Sequence, residues 1–135
     1  MLSILGNTEE EFNWEPIETK RAAVMDQDEL MVSYMARKSD GRKHPLLIIR
    51  FGDVVLKHLK VKPSEKLLLM QDPINIHNYL LVKAENGYKI QSAPIKDIYQ
   101  ISFRYQRDGL AQFKPIMCKY FLNKNGTIRI ILPNA

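Results

Sequence analysis

Apolar positions along this chain recur with period two or in short unbroken runs, and both forms point to strands rather than helices. Leu30 to Met35 reads Leu-Met-Val-Ser-Tyr-Met, and Leu46 to Phe51 reads Leu-Leu-Ile-Ile-Arg-Phe. The second run is short and rich in β-branched residues, which suits a strand buried on both faces. Between them lies Arg37-Lys38-Ser39-Asp40-Gly41-Arg42-Lys43. Asp-Gly is a turn signal, so residues 30–51 are predicted to form a β-hairpin with a basic tip. Asp53 then takes an N-cap-like position before Val54, Val55, Leu56, Leu59 and Val61. That spacing predicts one short helix over about residues 53–60, ended by Pro63.

Beyond Val61 the pattern holds only strands and turns. Lys66 to Gln71 is a leucine-rich strand, Asp72-Pro73 opens a loop supported by Asn75 and Asn78, and Tyr79 to Lys83 pairs back. Glu85-Asn86-Gly87-Tyr88 turns into Lys89-Ile90-Gln91. From Ile98 to Tyr105, Tyr99, Ile101, Phe103 and Tyr105 alternate with Ile98, Gln100, Ser102 and Arg104, as in a half-buried strand. Lys119 to Leu122 and Thr127 to Leu132 flank Asn123-Lys124-Asn125-Gly126, the clearest hairpin in the chain. The fold class is therefore mainly β, with seven or eight strands and one helix. It is expected as a small β-barrel or a swapped-hairpin dimer with a C-terminal β-hairpin extension. Residues 1–13, with Glu9-Glu10-Glu11 and few apolar anchors, are expected to be a flexible acidic arm. Trp14-Glu15-Pro16-Ile17-Glu18-Thr19 offers an aromatic anchor in an extended stretch. Residues 14–135 are expected to form one compact domain, with residues 29–84 as its core and 95–135 as its C-terminal strands.

The middle of the chain has a recognisable grammar: Ile48-Ile49-Arg50-Phe51-Gly52-Asp53-Val54-Val55-Leu56-Lys57-His58-Leu59-Lys60-Val61-Lys62-Pro63-Ser64-Glu65-Lys66-Leu67, then Leu80-Leu81-Val82-Lys83. Strand, short helix, a turn ending in an acidic residue and two paired strands resemble the swapped-hairpin DNA-binding domains of the AbrB, MazE and SpoVT type, over roughly residues 29–84. Gly52 and Ser64 stand where that family usually carries proline and glycine. The resemblance implies dimerisation by hairpin exchange and DNA contact through basic residues of the first hairpin. A vaguer likeness, in the Trp14 to Thr19 segment, is to small prophage-encoded proteins.

Charge sharpens this picture. The net charge is +5 and the sequence pI about 9.3. Residues 1–30 sum to −6, residues 31–62 to +6 and residues 63–135 to +5. A basic middle behind an acidic leader suits a surface that attracts polyanions. Arg37, Lys38, Arg42, Lys43 and His44 fall on the hairpin tip, with Arg50 on its second strand. A two-stranded ribbon can enter the major groove, where Arg and Lys reach phosphates and guanines. These six are the candidate DNA contacts. Arg104, Arg107 and Lys114 are secondary ones, set among Tyr99, Phe103, Tyr105 and Phe113, which form either a stacking platform for single strands or a core face.

Other chemistry has little footing. The single cysteine, Cys118, excludes an internal disulfide framework and a zinc site built on paired cysteines. His44, His58 and His77 are far apart in sequence, and the six glycines form no phosphate-cradling cluster. No catalytic residue, metal or cofactor is expected, and no small-molecule substrate. At 135 residues the chain makes one domain, large enough to bury roughly two-thirds of its unfolded surface. No apolar run approaches the roughly 20 residues of a membrane span, and Met1 to Leu5 lacks the basic flank of a signal peptide. The expectation is a cytoplasmic, non-enzymatic homodimer that binds double-stranded DNA as a small regulator. The competing expectation is a protein–protein interaction module whose charge serves solubility.

Overall fold

The computed structural model describes residues 25–36 and 44–133. Within them the chain forms β1 (Leu30–Met35), β2 (Leu46–Phe51), α1 (Asp53–Leu59), β3 (Lys66–Gln71), β4 (Asn78–Lys83), β5 (Tyr88–Lys89), β6 (Gln91–Ser92), β7 (Tyr99–Arg104), β8 (Phe113–Met117), β9 (Lys119–Leu122) and β10 (Ile128–Ile131). The strands make two five-stranded antiparallel sheets. The first has the order β6-β7-β2-β1-β8, and the second β5-β3-β4-β10-β9. The mainly β class with one short helix is therefore as the pattern predicts, but no barrel closes through hydrogen bonds. Instead the chain passes from one sheet to the other at both edges. Between β5 and β6 only Ile90 intervenes, and its N–H donates to the Glu65 carbonyl at 3.0 Å. Between β8 and β9 only Cys118 intervenes, and its N–H donates to the Leu30 carbonyl at 2.8 Å.

Alternation fills the space between the sheets. Leu30, Val32 and Tyr34 of β1, and Leu47, Ile49 and Phe51 of β2, face Leu67, Tyr79, Leu81, Ile128 and Ile130 in one buried cluster. Each such side chain contributes about 1.5–3 kcal/mol relative to exposure. Helix α1 adds Val55, Leu56 and Leu59 to it. The helix ends at Lys60, in the left-handed region at φ 54°, three residues before Pro63. Its first turn has no side-chain cap of its own. Gln27 Oε1, from the segment before β1, accepts from the Asp53 N–H at 2.8 Å in its place. That contact explains Gly52: a Cβ there would lie 2.7 Å from the Gln27 carbonyl oxygen. No proline fits at the position where the resembled family has one.

The hairpins β1–β2 and β3–β4, with α1 between them, follow the order the resemblance implies. Their neighbours come from the same chain: β7 beside β2, β8 beside β1, β10 beside β4 and β5 beside β3. The core that residues 29–84 cannot close alone is closed by the C-terminal strands, so core completion is no reason for a second chain. Strand β8 is absent from the sequence reading because Pro115 interrupts it. It is an edge strand, where a missing N–H is tolerated, and its register against β1 shifts between Val32 and Tyr34, as in a bulge.

Candidate nucleic-acid interface

Four strand ends of the first sheet come together where the β1–β2 connection departs. Met35 pairs with Leu46, Leu46 with Arg104, and Tyr34 with Phe113. The connection leaves at Ala36, whose N–H donates to Gln112 Oε1 at 2.9 Å, and returns at His44, whose carbonyl accepts from Arg104 Nη1 at 3.2 Å. His44 and Lys114 are exposed, and Arg104 is half-buried. Arg37, Lys38, Arg42 and Lys43 lie outside the described residues. Arg104 and Lys114 stand on the strands that flank the points where the connection leaves and returns. Arg50 does not join this group. It sits four residues along β2 from Leu46, about 13 Å away at strand rise, and its Nε donates to Gln100 Oε1 at 2.9 Å.

Arg107 serves a different purpose from the contact expected of it. Its guanidinium lies over the Tyr79 ring, 5.8 Å from the centroid. It donates to the Tyr79 hydroxyl at 3.4 Å and to the Asp72 carbonyl. The Tyr79 and Tyr105 hydroxyls are 3.2 Å apart, and Tyr105 donates to Gln71 Oε1 at 2.5 Å. The Tyr34 hydroxyl accepts the Arg107 N–H at 3.3 Å. Loop 105–112 is thus tied to loop 72–77 by a polar cluster resting on aromatic rings. The Asp72 carboxylate organises the second loop, accepting from Asn78 Nδ2 at 3.0 Å and from the N–H groups of Ile74 and Asn75. Those donors, Asn78 first, hold its pKa down at about 2. Burial pushes the Tyr105 and Tyr34 phenols up, so both stay neutral.

The aromatic side of β7 faces inward. Tyr99, Phe103, Tyr105 and Phe113 pack against the main cluster, and Phe103 stacks on Tyr88 at 4.3 Å between ring centroids. That geometry is core packing that joins the two sheets, not an open platform for bases. The sequence missed the cluster because its members are far apart along the chain. The alternating aromatics of β7 were its one visible signal.

The second sheet shows a different surface. Across its outer face Met70, Leu80, Arg129 and Phe121 form one cross-strand row, flanked by Leu68 and Val82. Met70 and Phe121 are each 49% exposed. Arg129 lies over the Phe121 ring and donates from Nε to Asn78 Oδ1 at 2.7 Å.

Among the described residues no group of three His, Cys, Asp or Glu side chains converges as a metal site would, and no helix is long and apolar enough to cross a membrane. His58 Nε2 lies 2.8 Å from the Asn123 carbonyl and 3.1 Å from that of Thr127, so it is the protonated nitrogen and pins α1 to the β9–β10 turn. Burial pushes the Cys118 thiol up to about 11, which leaves it un-ionised at neutral pH. No family model, curated protein or solved structure matches the chain.

Proposed function

We propose that this protein is a non-enzymatic DNA-binding protein, a small regulator of transcription that contacts duplex DNA through the β1–β2 hairpin. One observation carries the reading. The densest basic run in the chain, Arg37 to His44, springs from a sheet end that Arg104 and Lys114 flank on both sides. A two-stranded ribbon is narrow enough for the major groove, and flanking cations reach the phosphates beside it. Arg50 and Arg107, engaged with Gln100 and with Tyr79 and Asp72, are left out of the contact set.

Duplex affinity measured against salt tests this. Replacing Arg37, Lys38, Arg42 and Lys43 by alanine removes four charges of the basic run. Each lost phosphate contact flattens the logarithmic salt slope by about 0.9, so four contacts flatten it by roughly 3–4 per chain. Unchanged affinity in the quadruple variant, or no duplex binding by the parent protein at 50 mM salt, overturns the reading.

The outer face of the second sheet favours a second reading, a protein–protein interaction module without nucleic-acid binding. Exposed apolar side chains at Met70 and Phe121, joined across the sheet by Leu80 and Arg129, are of the kind that docking surfaces carry. Met70→Glu and Phe121→Glu would abolish such an interaction and leave duplex binding untouched.

A further inference from the structure

Arg129 is an exposed cation held in one place. Asn78 holds it, and Asp72 orients Asn78. The Asp72 carboxylate can only accept, so Asn78 turns its amide nitrogen toward it, Nδ2 donating to Oδ2 at 3.0 Å. The amide oxygen of Asn78 is thereby aimed at β10, where it accepts from Arg129 Nε at 2.7 Å. The guanidinium lies over the Phe121 ring, its central carbon 5.8 Å from the ring centroid. Fixed through Nε and through its flat face, it presents its Nη groups as a fork, with little rotamer freedom left to lose on binding. A depression of about 310 Å³ opens beside it, with Met70 and Leu80 in its wall.

We propose that this fork receives an acidic side chain of a partner protein, presented between apolar side chains that cover Met70, Leu80 and Phe121. The charge of the face selects such a partner. At outward positions of the second sheet the charged residues are Lys66, Lys89, Lys119 and Arg129, all cations. A second copy of this chain would set these cations against one another, so the face is not complementary to itself. Spacing gives the partner its form. Strands lie about 4.8 Å apart, and the row Met70, Leu80, Arg129, Phe121 advances by that step. Side chains three or four apart on one face of a helix advance by about 5–6 Å. An amphipathic helix with apolar groups at i, i+4 and i+11 and Glu at i+7 therefore follows the row. Arginine takes a carboxylate bidentately, and arginine and aromatic anchors are where interface energy concentrates. The proposal rests on the docking face of the second reading above and is independent of DNA contact.

A synthetic helical peptide with Leu at i, i+4 and i+11 and Glu at i+7, titrated into the full chain by calorimetry and backbone NMR, tests this. Binding should shift the amides of Met70, Leu80, Arg129 and Phe121. The same peptide with Gln in place of Glu should bind at least about tenfold more weakly, the scale of a lost charge-assisted hydrogen bond. That comparison uses the unaltered protein, so it stands even if a variant fails to fold. Arg129→Gln should lose as much and no longer distinguish the two peptides. Arg129→Lys keeps the charge without the fork and should recover only part of the affinity. Arg129 alternates with the buried Ile128 and Ile130, so both variants should keep the far-ultraviolet circular dichroism of the parent. No binding of the Glu peptide at millimolar concentration overturns the proposal. Equal binding of the Glu and Gln peptides, abolished by Phe121→Glu, overturns carboxylate recognition and leaves the docking face standing. If Phe121→Glu leaves that equal binding intact, the docking reading falls with it. Arg129-dependent binding to vesicles of phosphatidylserine and phosphatidylcholine, with no response to either peptide, assigns the face to a membrane and also overturns the proposal.

Discussion

Asp72 and Arg107 show how single side chains fix the loops behind the candidate interface. The Asp72 carboxyl is held at about 2, below its ordinary 3.8, by donors that exist only in the folded loop. The folded chain therefore binds fewer protons there than the unfolded one as pH falls. Its contribution to stability is complete above about pH 4 and is lost as pH drops toward 2. Asp72→Asn keeps an acceptor but does not titrate, so urea midpoints of this variant should change less between pH 4 and pH 2 than those of the parent. Cys118, pushed from 9.0 to about 11, should react with a thiol reagent near pH 8 about 100-fold more slowly in the native than in the unfolded chain. Equal alkylation rates would show the thiol to be solvated. Phe103→Ala and Tyr105→Ala should each cost about 2–5 kcal/mol in chemical denaturation, as large-to-small core changes do. A fold indifferent to both would return these rings to the surface.

Strand edges decide what could be seen from the sequence at the scale of elements. β1, β2, α1, β3, β7 and β10 stand within a residue or two of the predicted spans, because their apolar periods are unbroken and Gly, Asp or Asn closes them. β8 was hidden by Pro115, which reads as a breaker until its edge position is known. The two sheet-to-sheet crossings were also hidden. At Ile90 and Cys118 the chain changes sheets with no glycine, proline or turn residue to mark it, so Lys89-Ile90-Gln91 reads as one stretch and β9 as a strand that starts afresh at Lys119. The basic run is legible as charge, and Arg37, Lys38, Arg42 and Lys43 within it lie outside the described residues. The anchoring of Arg107 is not legible, since its partners Tyr79 and Asp72 are 28 and 35 residues away. Gly52 yields the element-scale prediction: Gly52→Ala should cost about 1–3 kcal/mol by crowding the Gln27 segment that caps α1. An unchanged denaturation midpoint would mean that residues 25–28 do not clamp the helix.

For the whole molecule, two sheets joined at both edges by bent strands give a self-contained core, and this changes what a dimer would be for. A twofold pair of hairpins would suit a near-palindromic site and would double the salt slope of duplex binding. We expect sedimentation to give about twice the 15.7 kDa chain mass at micromolar concentration. A monomer would confine DNA contact to one hairpin. The claim on which the functional reading rests is where the duplex lands. Titrating the isotopically labelled protein with duplex DNA, and following backbone amides by NMR, measures that residue by residue. Contact through the hairpin moves the amides of Ala36, His44, Arg104 and Lys114 and leaves Met70, Leu80 and Phe121 in place. Shifts confined to those three outer-face residues of the second sheet, or no shifts at low salt, would contradict it.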